Sequence, residues 1–461
     1  MHRLKTIFIL SLFLFILKSC TNKQSNPADV HPNSPIATLN GEELFIEWGK
    51  ENAIPFDFSN RNTLDSLVKA IAEDVSEANV VVLSEGFHNC EEMLALQYEL
   101  ITYLVQEKGF NTIATESGLP ESKYLNDYIH GEDSIPYLWK KSIDILYSEW
   151  ERGRAMVEWL RKYNQSNANK VDYFGADIGG FYNDWNFPFQ QIFSYLDSVD
   201  VAKARTLKKD MSFYLGHMTK WAAYHYMTKL TAEQQNKLVL ILDELIQSFH
   251  SNKDVYLAKS SKKDYLWVLQ CVKSMRMAEN YYRNYQNIKD TTAHHINMYA
   301  GANGREIAMA ENIKWMLSYK EAAKIIVINH VIHTKTASQY QGEFYRNFTP
   351  MGQLLKQELK EDLFIIGMVY GRGFFWNKWQ APSMRFRDTI PTPPNDGLEN
   401  TMQAIAAQNY YLNMEDVPLS TYSWFKENTS LRENDYEIKI KPSEWNACFY
   451  LDEVNPAKLP K

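Results

Sequence analysis

The sequence predicts an α/β domain: a mostly parallel central sheet with flanking helices and one large helical insertion. Three observations carry this. Short runs rich in β-branched residues recur along the chain, and helical spacing of apolar residues fills the gaps between most of them. One gap, about residues 181–300, reads as helix throughout. No low-complexity stretch or internal repeat follows residue 40, so nothing points to a solenoid. Strands that alternate with helices in this way are parallel strands joined by crossovers.

Residues 1–19 read as a secretory signal. Arg3 and Lys5 give the positive end, and Ile7 to Leu17 is apolar except for Ser11. That run is about 16 Å of helix at ~1.5 Å per residue, too short for a hydrocarbon core of ~30 Å. Leu17-Lys18-Ser19-Cys20 resembles a lipobox, with Cys20 the residue to be acylated. Residues 20–40 then form the lipidated cysteine and a polar, flexible tether, and residues 41–461 the folded domain. The expected location is the bacterial cell envelope, with the chain exported and held to a membrane by its lipid. With Cys20 lipidated, Cys90, Cys271 and Cys448 remain, an odd number that gives no disulfide framework.

Five strands are predicted in the domain. They are residues 79–83, 111–115, 171–174, 324–328 and 363–369. Helices are expected over 90–107, with Met93, Leu96, Leu100 and Leu104 on one face, and near 150–164, 305–319, 351–360 and 397–408. Within the insertion, Phe213, His217, Trp221 and Tyr224 recur at steps of four, four and three. That reads as one helix face, packed on the sheet domain or lining a cleft.

Composition narrows the function. Lys and Arg number 49 and Asp and Glu 56, for a net charge of −7. Removing residues 1–19 leaves 46 against 56, net −10, and no basic stripe with interleaved aromatics is present. Such a chain repels phosphate backbones, so no nucleic-acid partner is expected. Aromatics make up 14%, which suits either a cleft for a bulky ligand or aromatic packing between helices.

Ligands of open α/β sheets bind past the C-terminal ends of the strands. The residues there are titratable. Glu85 and His88 follow the first strand, Glu116 the second, Asp177 the third, His330 and His333 the fourth, and Tyr370-Gly371-Arg372 the fifth. No Gly-x-Ser-x-Gly elbow and no phosphate loop occurs. The remaining chemistry is a histidine general base on water, oriented by a carboxylate, with a second histidine or an arginine holding an oxyanion. Alternatives stay open. The same histidines with a carboxylate would complete a zinc set for a metal-dependent hydrolase or peptidase. His88 could cap the following helix, Cys90 sits where a thiolate is favoured, and Arg305 and Asp177 could be structural ions. The aromatic cleft could also belong to a lipoprotein that only captures a ligand.

The order of motifs is Glu85-x-x-His88, Glu116-Ser-Gly, Phe174-Gly175-x-Asp177, Arg305 with Met309-Ala-Glu-Asn312, His330-x-x-His333 and Met351-Gly352. It resembles the erythromycin esterase family over about residues 75–410. The resemblance implies an esterase-like hydrolase that uses no cofactor and acts on a macrolide-like ester or an acylated natural product, as in antibiotic response. It implies His88 as the base that activates water, with Glu85 and Glu116 orienting it. His330 and His333 would position the substrate carbonyl or hold its developing charge. Arg305 would pair with a carboxylate or help bind the oxyanion, and Asp177 would contact substrate. The sequence departs from the family at Ser84, at Phe87 and at Gln97, where a basic residue is usual nine positions past the first histidine.

Overall fold

The computed structural model describes residues 39–75, 77–132, 149–179, 185–219, 222–286, 294–337, 348–376, 386–433 and 436–460. Cys20, the signal segment and most of the tether lie outside them, as does Trp221. From Asn40 onward the chain forms one compact unit. No helix among the described residues is long and apolar enough to cross a membrane.

Eleven strands are described. They are β1 (Ile54–Pro55), β2 (Val80–Glu85), β3 (Thr112–Gly118), β4 (Asp172–Asp177), β5 (Ile325–His330), β6 (Leu363–Trp376), β7 (Arg387–Thr389), β8 (Tyr410–Asn413), β9 (Thr429–Glu433), β10 (Tyr436–Ile440) and β11 (Ala447–Val454). The main sheet runs β1-β8-β11-β6-β2-β5-β3-β4, with β7 on β6. All five predicted strands are present, adjacent and parallel. β11 adds a sixth parallel strand next to β6, and β8 and then β1 extend that side antiparallel.

The pleat divides the core in two. Val80, Val82, Ile325 and Val327 face a cluster built with the helices of the insertion and with Met351–Leu359. Val81, Leu83, Ile326 and Ile328 face the opposite cluster, built with helices Arg61–Asp74, Glu91–Lys108 and Glu151–Ser166. Met93, Leu96, Leu100 and Leu104 are all at or below 1% exposure, as the helical spacing requires. Gly109 ends that helix at φ 72, a left-handed position that costs glycine little.

Connections place the site. The chain leaves β2 through helix Glu91–Lys108 on one face and travels to β3. It leaves β5 through Met351–Leu359 on the other face and travels back to β6. β2 and β5 are neighbours, with Glu85 paired to His330 in register. Adjacent strands whose connections depart in opposite directions leave a crevice between their C-terminal ends.

Two expectations are corrected. The row Phe213, His217 and Tyr224 is not a packed face: Phe213 and Tyr224 are 38% and 59% exposed. The helix stops at His217 and a second runs Ala222–Lys229, and the buried row is Tyr214, Met218, Ala222 and Tyr226, one or two residues further on. The fifth strand does not end at Val369 but continues to Trp376, which carries Arg372 into solvent beside Asp452. Among the described residues, Trp150, Trp185 and Tyr173 are among the largest fully buried side chains.

β3 carries an irregularity opposite β4 between Thr115 and Gly118. The displaced carbonyls of Ser117 and Gly118 lie over Gly175, where a Cβ would collide with both. Neither is a flexible side-chain end, so an added methyl has to move backbone. Gly175→Ala is therefore expected to destabilise the fold by roughly 1–3 kcal/mol, the usual cost of overpacking. A urea midpoint shift in that range at unchanged m-value checks it, and a neutral substitution would show that β3 can shift freely.

Candidate active site

Glu85 is the last residue of β2, and the chain then bends through Gly86–Asn89 before helix Glu91–Lys108. Within this bend His88 turns back, and its Nδ1 lies 2.8 Å from Glu85 Oε2. Gln97, nearly two helical turns into the following helix and buried, donates its Nε2–H to Glu85 Oε1 at 2.6 Å. A carboxylate held in this way accepts the Nδ1 proton of the imidazole and leaves Nε2 as the basic nitrogen. The N-cap of the helix is Cys90, not His88. Burial pushes the Cys90 thiol well above its usual range, which removes it as a nucleophile.

Glu116 projects from the irregular part of β3. Its Oε2 accepts the backbone N–H of His330 at 3.2 Å and stands 3.6 Å from His88 Nε2. Its Oε1 accepts from Arg305 Nη2 at 2.9 Å and lies 3.3 Å from His333 Nε2. Burial opposes ionisation of Glu116, but His333, His88 and Arg305 outweigh it and hold its carboxyl well below the usual range.

His330 ends β5 and caps the short helix Val331–Thr334, its Nδ1 accepting the N–H of Ile332 at 3.3 Å. A neutral His330 then carries its proton on Nε2. Its ring lies 4.9 Å from that of His88, centroid to centroid. His333 follows one turn later, and its Nδ1 meets Glu306 Oε1 at 2.6 Å. Burial works against a charge on His333, while Glu306 and Glu116 favour it, and the outcome is a rise to about 9. His333 is thus an imidazolium at neutral pH with an N–H toward each carboxylate. Its 3.3 Å approach to Arg305 Nη1 is then a contact of two cations sharing Glu116.

Arg305 comes from helix His294–Tyr319. It grips Asp177 with Nε at 3.0 Å from each oxygen and Nη2 at 2.6 Å from Oδ2. Asp177, expected to contact substrate, places both oxygens on Arg305. Asn312 anchors the same strand end, donating to Ala176 O at 2.7 Å. Of these side chains His88 and Arg305 are the most open, at 12% and 18%.

The site therefore brings together Glu85, His88, Glu116, Asp177, Arg305, His330 and His333, and Arg372 lies apart from it. Two members escaped the sequence reading. Gln97 was noted only as a departure from a family pattern. Glu306 follows Arg305 directly, yet both reach the site, and its second oxygen accepts the N–H of Met351 at 2.9 Å. Among the described residues no group of three or more His, Cys, Asp or Glu side chains is arranged to hold a metal. The guanidinium of Arg305 lies between Glu116 and Asp177, and His333 Nδ1 is committed to Glu306.

A family model described as erythromycin esterase matches residues 105–449. The chain belongs to the erythromycin esterase family. It is an esterase-like hydrolase. It is 23% identical over 389 residues to erythromycin esterase type II of Escherichia coli, covering 81% of this chain and 90% of that protein. It is 22% identical over 437 residues to the putative hydrolase YbfO of Bacillus subtilis strain 168, covering 91% and 93%. A solved erythromycin esterase, a histidine-to-asparagine mutant in its open conformation, superposes with a TM-score of 0.69 at 17% identity over 87% of this chain and 96% of that one. In the family frame Glu116, Asp177, Arg305, His330 and His333 lie inside the matched stretch, and Glu85 and His88 precede it.

His333 supplies a test of these charges. Its raised folded pKa contributes stability that is complete below about 6.5, the unfolded value, and is lost as pH climbs through about 9. Glu306→Gln is expected to bring the His333 titration down toward 6.5 and to flatten the loss of stability over that window. NMR titration of the ring and unfolding curves across the window measure both. A His333 that already titrates near 6.5 in the unsubstituted chain would contradict the assignment.

Proposed function

We propose that this chain hydrolyses carboxylic esters, with His88 as the general base. The observation that supports it most is the chain Gln97–Glu85–His88, which presents Nε2 of a partly exposed imidazole to the crevice at the β2/β5 switch point. Water at Nε2 gives its proton to His88, and the hydroxide oxygen bonds to the ester carbonyl carbon. Glu85 stabilises the imidazolium that results, as acid–histidine pairs do. The carbonyl oxygen becomes an oxyanion, and the cations His333 and Arg305, with the Nε2–H of His330, are the groups able to offset that charge. When the carbon–oxygen bond of the ester breaks, His88 returns the proton to the leaving alkoxide. Asp177 and Glu306 act through Arg305 and His333, holding them in place. No metal has a part in these steps.

The substrate class proposed is a macrolactone-type ester or an acylated natural product. The relatives named as erythromycin esterases favour the first. The assay is a panel of large-ring macrolides, aryl esters and acetylated sugars, each with and without chelator, read by mass spectrometry. A product heavier by one water, indifferent to chelator, is expected. His88→Asn should lower kcat by about 10²–10⁴, the contribution typical of a positioned base. Full activity in that variant would exclude His88 as the base, and activity abolished by chelator would favour a metal-dependent hydrolase.

We also propose that the chain is exported and anchored through a lipidated Cys20, as the positive end, the short apolar run and Leu17-Lys18-Ser19-Cys20 suggest. Cys20→Ser is expected to move the protein from the membrane to the soluble fraction of expressing cells. Membrane retention unchanged by that substitution would exclude the anchor.

A further inference from the structure

The bend Gly86–Asn89 that carries His88 belongs to no helix or strand, and its last residue is left-handed: Asn89 has φ 65. Asparagine tolerates this region better than most residues, but a loop so shaped still needs its carbonyls and amides met elsewhere. The helix that follows is also incomplete. Its N-cap, Cys90, supplies no side-chain hydrogen bond to the orphan amides of the first turn.

Both needs are met from the far end of the chain. Beyond β11, Asn455 O accepts the N–H of Glu91 at 2.9 Å, the cap that Cys90 lacks. Ala457 N–H donates to Asn89 O at 2.8 Å, directly beside His88. Between them Cys90 and Pro456 form an antiparallel bridge. Glu92 clasps Asn455 with both oxygens, accepting its backbone N–H at 2.7 Å and its Nδ2 at 3.1 Å. Lys458 N–H donates to Glu91 Oε2 at 3.2 Å. The segment is itself pinned to its surroundings. Trp376 Nε1 donates to Ala457 O at 2.9 Å, and Glu151 N–H to Lys458 O at 2.8 Å. Ala457 is fully buried.

We propose that residues 455–458 are a positioning strap for His88, and that Ala457 and Glu92 act on the reaction through it. The strap fixes the left-handed turn after His88 and caps the helix that carries Gln97, so it sets the loop from behind while Glu85 sets the ring from in front. Neither Ala457 nor Glu92 touches the reacting atoms. This inference rests on His88 being the base. Within the same fold, both the His88 bend and the strap fall outside the stretch that the family model matches, residues 105–449.

The test uses the full chain. Ala457→Pro deletes the N–H that Asn89 accepts, and Glu92→Ala deletes the clasp on Asn455 without altering the buried Ala457. With p-nitrophenyl acetate and erythromycin as the assayed esters, displacement of the base is expected to lower kcat about 10²-fold. KM should stay within about threefold. Glu92→Gln, which keeps an acceptor for Asn455, should recover much of the loss. The second readout does not depend on turnover. The His88 ring signals, assigned by their disappearance in His88→Asn, should shift or broaden in both strap variants while the His333 signals stay in place. Folded strap variants with unchanged His88 signals would overturn the strap, whatever their activity. Shifted His88 signals at unchanged kcat would uphold the strap and count against His88 as base. Should Ala457→Pro fail to fold, Glu92→Ala carries the same two readouts.

Discussion

The carboxylate of Glu116 is almost wholly buried and stays ionised, and the arrangement around it follows from that constraint. A lone buried carboxylate is costly, and removing one partner of a buried pair costs more than the pair contributes. Glu116 is supplied on one oxygen by Arg305 and His333 and on the other by the amide of His330, with His88 Nε2 facing it. Each partner arrives from a different element: helix His294–Tyr319, the turn after β5, the end of β5 and the bend after β2. Arg305 extends the linkage to Asp177 at the end of β4. The tips of four parallel strands are thus joined by alternating charge where the apolar core stops.

That alternation also decides what the site can hold. Glu116 and Asp177 both bond Arg305, which stands between them and contributes a fixed cation. His333, raised to about 9 by Glu306 and Glu116 against its burial, is a second. A site with Arg305 and, at neutral pH, His333 as cations suits a reaction that builds negative charge on oxygen, as ester hydrolysis does.

Much of this was legible in the sequence, for identifiable reasons. Buried parallel strands read as continuous β-branched runs, so Val80–Val82 and Ile325–Ile328 announced themselves, and the residues following them pointed to the crevice. Other features were not legible. Two adjacent residue rows in 213–226 are both apolar, and spacing alone does not select the row Tyr214, Met218, Ala222 and Tyr226 that burial selects. β6 outruns its buried part, so the residue after the apolar run, Arg372, was mistaken for a strand-end group. Glu306 was hidden because neighbours on a helix lie about 100° apart, and one of the two is expected to face away from any given site. Only the bonds to His333 and to Met351 at the next helix reveal its place.

The two arms of the site differ in a way that explains the rest of the architecture. Glu85 and His330 are register partners at the ends of β2 and β5, and each is followed three residues later by a histidine. On the β5 side the following residues form a four-residue helical turn, Val331–Thr334, which places His333 against Glu306 and Glu116. On the β2 side no such turn forms. Gly86 approaches Met368 O so closely that a Cβ would sit 2.5 Å away, Phe87 is drawn onto Tyr370 at 4.6 Å, and Asn89 is left-handed. In this bend His88 Nδ1 lies 2.8 Å from Glu85 Oε2. The β5 arm is held by its own helical turn, whereas the bend that carries His88 is held from outside, by Tyr370 on one side and residues 455–458 on the other.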